Sequence, residues 1–342
     1  MPSIEHGSLV LVTGVNGYIG SHVAKHLLER GFRVRGTVRD DHKRGYMEAL
    51  FEESHRRGEF EVQIVEDMAS DGAFDTAMQD CQGVIHVASD LSLNPDPNKV
   101  IPPVLSGVRN ALTAAARNPC VKRFVYTSSS TAATAPIVDT VFDVDTNTWN
   151  HDDVQAALAP SPYNDDRKLA VYAASKMLAE QECWRFMEQE KPVFTLNTVL
   201  PNCNIGRILS KEQPASTGGW YKKMWEGDKD ILELLRCQFA PQHYVNVTDT
   251  AVLHLAALLE LDVTGERLFA CAGPFGFNET AELMEELDAA GCGDGSRRFE
   301  RSTSSSKDLK TFATKRAQEL LRRYSRPGFT GLKESLREAI ES

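Results

Sequence analysis

Tyr172 and Lys176 stand four residues apart in the stretch "VYAASK", 171–176. On a helix this spacing places both side chains on one face. A phenol beside an ammonium makes an acid–base device. The ammonium favours phenolate, which lowers the phenol from its reference pKa of about 10 toward working pH. Carbonyl reduction needs such a group, because hydride reaches carbon while a proton reaches oxygen. A hydroxyl that holds the carbonyl oxygen completes the set. The stretch "FVYTSSS", 124–130, ends an apolar run with Ser128, Ser129 and Ser130, any of which meets that need by residue type. Ser175, inside the first stretch, is the weaker partner.

Those side chains need a scaffold and a cofactor. "SLVLVTG", 8–14, is a short β-branched run and reads as a buried strand. "GVNGYIG" follows, then "SHVAKHLLERG", in which Val23, Ala24, Leu27 and Leu28 recur at helical spacing and Gly31 stops the helix. "FRVRGTVR" is a second strand. In this βαβ unit Gly14 turns the chain off the strand. Gly17 admits a pyrophosphate close to the backbone, and Gly20 lets helix and strand pack. Asn16, Tyr18 and Ile19 line the same turn. The second strand ends at Arg39, with Lys43 and Arg44 nearby. A guanidinium there suits the 2′-phosphate of NADPH. Asp40 argues the other way, since a carboxylate at this place accepts the free ribose hydroxyl of NAD.

Four more strands are expected at 60–68, 83–89, 121–130 and 194–206, with helices between them. This is an α/β chain with a Rossmann-type, doubly wound parallel sheet and ligands at the strands' carboxyl ends. Asp67 is placed to meet the adenine. The ends of the fourth and fifth strands, Thr127 included, are placed beside the nicotinamide ribose, which Lys176 also holds. The 208–228 stretch reads as a loop over the cofactor, with Ser216, Thr217 or Gly218 near the nicotinamide amide. Asp90, Leu91, Tyr163, Trp220, Trp225, Phe239, Gln242 and His243 are the candidate substrate wall, mixed aromatic and apolar. Residues 1–202 and 244–272 are assigned to the nucleotide-binding domain. Residues 203–243 and 273–342 are assigned to a smaller, mainly helical substrate domain.

A formal net charge of −10 over 342 residues argues against nucleic acid as a partner. Seven scattered cysteines without a C-x-x-C fit a reduced, cytoplasmic protein. No signal peptide and no membrane span is read. His22 and His26 are spaced i, i+4 but lack further ligands, so they are read as solvated and no metal is expected. The expected partner is a small carbonyl compound, with the chain a monomer or homodimer.

"TGVNGYIGSH", "FVYTSSS" and "YAASK", in this order, resemble the extended short-chain dehydrogenase/reductase superfamily. The closest subgroup is the fungal and yeast NADPH-dependent aldehyde and ketone reductases, relatives of plant dihydroflavonol and cinnamoyl-CoA reductases. The resemblance spans about residues 8–340 and implies Ser129, Tyr172 and Lys176 as the catalytic set. It further implies Asp67 and Met68 at the adenine, Val87, Ala88 and Ser89 at the ribose, and Pro201, Asn202 and Cys203 beside the nicotinamide. Asn110 is a candidate fourth catalytic member. The chain departs from the plant enzymes around Tyr172, "LAVYAASK" against "NWYCYGK", and at Thr134, where dihydroflavonol reductases place asparagine. Two alternatives remain: an NAD-dependent nucleotide-sugar epimerase or dehydratase, and a non-catalytic NADP(H)-binding regulator.

Overall fold

The computed structural model describes residues 3–213 and 216–342, without the side chain of Ser216. Its strands are β1 (Leu9–Thr13), β2 (Arg33–Val38), β3 (Phe60–Ile64), β4 (Gly83–His86), β5 (Arg123–Thr127), β6 (Asp143–Val144), β7 (Thr195–Pro201), β8 (Cys203–Ile205), β9 (Gln242–Asn246), β10 (Arg267–Ala270), β11 (Gly273–Phe275) and β12 (Thr311–Phe312). Its helices are α1 (Tyr18–Glu29), α2 (Asp41–Leu50), α3 (Glu52–Arg56), α4 (Pro97–Arg117), α5 (His151–Leu158), α6 (Lys168–Glu190), α7 (Ser216–Glu226), α8 (Lys229–Glu233), α9 (Val247–Leu259), α10 (Phe277–Leu287), α11 (Lys315–Arg323) and α12 (Leu332–Ile340).

Seven strands form one parallel sheet in the order β3-β2-β1-β4-β5-β7-β10. Every residue of β1, β4 and β5 is buried, which explains their continuous apolar runs. Side chains alternate between two apolar layers. Val10, Val12, Ile85, Val125 and Val199 pack against α1, α9 and α11. Leu9, Leu11, Val84, Phe124 and Leu196 pack against α4 and α6. Strand order reverses between β1 and β4, so the crevice lies above their carboxyl ends. The glycine loop and Val87–Ser89 meet there.

The smaller unit has its own core. β11, β9 and β8 make a three-stranded sheet, and Ile205, Tyr221, Met224, Met284 and Leu336 bury against one another beside it. Four expectations need correction. The single strand expected over 194–206 breaks at Asn202, and its second part joins the small sheet rather than the large one. "QHYVN" follows it there; the chain returns to the large sheet through α9 and β10. The expected loop after residue 215 is helix α7, which buries Tyr221 and Met224 despite its two glycines. Residues 315–323, assigned to the smaller domain, form α11, whose Ala317, Leu320 and Leu321 pack under the large sheet. Among the described residues no helix is long and apolar enough to cross a membrane.

Candidate active site

The glycines of the first loop are needed for close approach. Gly14 has φ +62°, and a Cβ there would lie 3.0 Å from Ala88 Cα. A Cβ on Gly20 would overlap the Gly14 carbonyl oxygen. The α1 N-terminus carries no side-chain cap and no acidic residue in its first turn. Its N–H groups are therefore left for a diphosphate. The neighbouring turn is held from below by Thr13. Its Oγ1 accepts from Val87 N and Ala88 N, both at 3.0 Å, and so donates its own proton to His86 Nδ1 at 3.0 Å. Burial pushes His86 down to about 3, which keeps the imidazole neutral and able to accept. Ser89 Oγ is buried above this turn without a protein partner. An orphaned hydroxyl beside an uncapped helix and a glycine cradle fits a dinucleotide ribose and phosphate.

At the end of β2, Arg39 and Asp40 differ in their local partners. Asp40 caps α2: Oδ1 accepts from Lys43 N at 2.9 Å and Oδ2 from Lys43 Nζ at 2.7 Å. These bonds hold its carboxyl below the usual range. Lys43 is thus tied to Asp40, and Arg44 Nη1 to Asp41 at 3.0 Å. Arg39 is exposed, and no carboxylate among the described residues pairs with it. Asp67 stands beyond β3 and closes its own turn, accepting from Ala69 N at 2.9 Å and Ser70 Oγ at 3.1 Å. Asn110 holds that same turn, donating to Met68 O at 3.0 Å and Ser70 O at 2.8 Å. Its amide is committed there, so it is not a fourth member of the catalytic set.

The three side chains expected to react gather where β5 ends against α6. Lys176 is 3% exposed and donates to Thr127 O at 3.0 Å. Burial lowers it to about 8. Burial likewise raises Tyr172, a rise opposed by its hydrogen bond with Ser129. The expected depression of Tyr172 by Lys176 is not what sets it, because the ammonium is directed to the Thr127 carbonyl. Ser129 Oγ accepts from Thr131 N at 3.2 Å and Thr131 Oγ1 at 2.9 Å. Both lone pairs are engaged, so its proton is left to donate toward Tyr172 or a carbonyl oxygen. Ser128 is excluded from that role: it donates to Glu180 Oε2 at 2.6 Å. Thr127 was expected at the cofactor, but its hydroxyl meets His254 Nε2 at 2.8 Å on the α9 side.

Pro201 remains in the sheet opposite Ala270, while Asn202 Oδ1 accepts from Cys203 N at 2.7 Å. The Cys203 thiol turns into the smaller unit, 3.6 Å from Tyr221 OH, and burial raises it to about 12. Thr217 Oγ1 donates to Asn204 O at 2.8 Å. Ser216 opens α7, and its side chain lies outside the described residues. Asp90 and the 61% exposed Leu91 lie on the loop after β4. Tyr163 accepts from Asn98 Nδ2 at 3.2 Å. Gln242 and His243 open β9, where His243 Nδ1 meets Asp308 Oδ2 at 2.8 Å. Three expected wall residues, Trp220, Trp225 and Phe239, pack half-buried against the core of the smaller unit. Trp225 lies under the Arg297 guanidinium at 4.1 Å, and Trp220 packs edge-on to Phe239 at 5.5 Å. Phe239 itself borders a void of about 10 Å³ shared with Tyr221, Met224 and Phe275. His22 is 2% exposed and bonds Arg207 O at 2.9 Å, so it is a buried clamp and not a solvated residue.

Several positioning residues were not found from the sequence. Gly36 faces Val15 so closely that any Cβ would overlap it. Thr13, Glu180 and Arg267 act through partners far away in the chain. Only the i, i+4 spacing of Glu180 from Lys176 was available as a signal.

Residues 10–266 match the model of the NAD dependent epimerase/dehydratase family. The chain is 37% identical over 339 residues to the NAD-dependent epimerase/dehydratase terH of Aspergillus terreus, covering 99% of this chain and 98% of that one. It is 37% identical over 344 residues to aldehyde reductase 2 of Sporidiobolus salmonicolor, covering 99% and 97%. The fold matches that of yeast methylglyoxal/isovaleraldehyde reductase Gre2 complexed with NADPH, with a TM-score of 0.79 at 21% identity over 97% of each chain. With the glycine loop at the β1–β4 switch point and these matches along nearly its whole length, the chain belongs to the NAD-dependent epimerase/dehydratase family, the extended short-chain dehydrogenases/reductases.

Proposed function

We propose that the protein is an NADPH-dependent reductase of aldehydes or ketones, with Tyr172 as proton donor. The observation that carries this reading is the meeting of Ser129, Tyr172 and Lys176 at the end of β5. Relatives named aldehyde reductase and ketoreductase support it. When bound, NADPH supplies hydride to the carbonyl carbon. Ser129 donates a hydrogen bond to the carbonyl oxygen and steadies the charge developing there. Tyr172, kept protonated by burial, gives its proton to that oxygen and yields the alcohol. Lys176 holds the nicotinamide ribose and faces the phenolate left behind. Arg39 is the ligand for the 2′-phosphate, Asp40 being engaged in capping α2. The glycine loop and the first turn of α1 take the diphosphate. The smaller unit, around β8, β9, β11, α7, α8, α10 and α12, is proposed to hold the substrate.

The test is NADPH oxidation against a panel of aldehydes, β-keto esters and aryl ketones, run beside NADH. Turnover with NADPH, and at least about tenfold lower kcat/KM with NADH, is the expected result. The name of the terH relative keeps a second reading in view, epimerisation or dehydration with tightly held NAD. That chemistry returns hydride within the cycle and consumes no NADPH. Absence of carbonyl-dependent NADPH oxidation across the panel would favour it.

A further inference from the structure

Helix α9 is buried at every position but Thr248 and packs against β5 and β7 of the large sheet and β8 and β9 of the small one. Three of its buried side chains are polar: Asp249, Thr250 and His254. Asp249 is engaged by Thr330 N at 2.7 Å and by Arg326. Thr250 and His254, one turn apart, belong to a different run of hydrogen bonds. His254 Nδ1 lies 2.8 Å from Thr250 O, which can only accept, so Nδ1 carries the ring proton. Nε2 then accepts, and the Thr127 hydroxyl donates to it at 2.8 Å. Burial lowers His254 to about 4 and so keeps the ring neutral. The Thr250 hydroxyl donates to Asn204 Oδ1 at 2.7 Å, and Asn204 Nδ2 donates to Asn202 O at 3.0 Å. None of these four side chains leaves a buried polar atom without a partner.

The run has two ends. Thr127 closes β5, and its carbonyl takes Lys176 Nζ at 3.0 Å. Asn202 is where the chain leaves β7 for β8: its N–H stays on the large sheet, donating to Ala270 O at 3.2 Å, and the next residue begins the small one. Both ends therefore border the place where the nicotinamide is expected. Polar partners that only fill a core are replaceable by apolar groups of the same shape at little cost. A fully satisfied buried network does something more: it holds its ends in one arrangement. We propose that His254, Thr250 and Asn204 are positioning residues for the nicotinamide. The run fixes the Thr127 peptide against the Asn202 peptide, and so sets where the ring lies relative to Tyr172 and Ser129. The proposal rests on the reductase reading above, with Lys176 at the nicotinamide ribose and residues 201–203 beside the ring. Hydride transfer is sensitive to a displacement of that kind, whereas the diphosphate and 2′-phosphate contacts are made elsewhere.

The test reads the bound cofactor before any turnover. Thr250→Val keeps the shape of the side chain and removes the donor to Asn204; Thr250→Ser returns the hydroxyl. NADPH is titrated into the full-length protein without substrate, and its fluorescence is recorded. Thr250→Val is expected to move the emission of bound NADPH toward that of free NADPH, with affinity changed by less than about threefold. Thr250→Ser is expected to regain the wild-type spectrum. In single-turnover reduction of a β-keto ester, the Thr250→Val rate should fall about tenfold, and Thr250→Ser should recover most of it. If Thr250→Val fails to fold because Asn204 is left unpaired, Thr250→Val with Asn204→Leu removes both partners and is read in the same way. An unchanged spectrum in the folded variant overturns the proposal, as does a loss of NADPH affinity as large as the loss of rate. Failure of both variants to fold also overturns it, by making the run a requirement of the core. A shifted spectrum that Thr250→Ser restores, in a protein that reduces no carbonyl, upholds the run and sinks the reductase reading instead.

Discussion

At the residue scale the site is organised by which hydroxyls are already engaged. Three consecutive serines were equal candidates by type. The structure separates two of them by their partners: Ser128 donates to Glu180, and Ser129 accepts twice from Thr131 and keeps its proton. Asp40 and Arg39 separate in the same way, one tied to Lys43 and the other unpaired among the described residues. Tyr172, Lys176 and Ser129 could be singled out from the sequence as candidates because chemistry restricts their types and helix geometry restricts the Tyr172–Lys176 spacing. Glu180 was not, because its meaning depends on Arg267, 87 residues away. Two predictions belong here. Arg39→Ala should raise KM for NADPH about 10- to 100-fold while leaving NADH kinetics nearly unchanged, measured as steady-state oxidation of each cofactor. Lys176 is an ammonium below its value of about 8 and neutral above it. The kcat for carbonyl reduction should therefore hold from pH 6 to 7 and decline as pH rises through about 8. A flat profile to pH 10 contradicts that assignment.

At the element scale, the first βαβ unit was readable because strand, glycine turn and helix each leave a local mark. Helix α7 was not. Gly218 and Gly219 argue for a loop, whereas Gly218 is there because the Tyr18 ring occupies the space a Cβ would take. Tyr18 OH in turn donates to Gly206 O at 2.8 Å, so α7, the glycine loop and the end of β8 are packed as one piece. Gly218→Ala should cost about 1–3 kcal/mol in denaturant unfolding, the range for forced overpacking. It should also weaken NADPH binding, because the glycine loop moves with Tyr18. The break at Asn202 was hidden for a different reason: "FTLNTVLPNCNIG" carries no turn signal strong enough to split it into two strands, and its hydrogen-bond partners change only in three dimensions.

At the scale of the whole molecule, the C-terminal part fastens both units. α11 packs under the large sheet, and residues 307–312 close over the segment that follows the serine cluster. Asp308 is buried between Lys310 Nζ at 2.7 Å and His243 Nδ1 at 2.8 Å. Burial pushes its carboxyl up, but the His243 and Lys310 bonds outweigh this and leave it lowered. Asp308→Ala strands a buried ammonium and should cost about 3–5 kcal/mol in thermal or denaturant unfolding. Domain boundaries read from composition missed this return of the chain, because an amphipathic helix does not say which of two sheets it will cover. The central claim, that the face of α6 beside β5 delivers a proton to a carbonyl, is tested most directly with Tyr172→Phe. The measurement is single-turnover reduction of a β-keto ester by NADPH, with NADPH affinity measured alongside. The account predicts a fall of about 10²- to 10⁴-fold in rate with affinity changed by less than about threefold. Retention of the wild-type rate by the folded variant would contradict it.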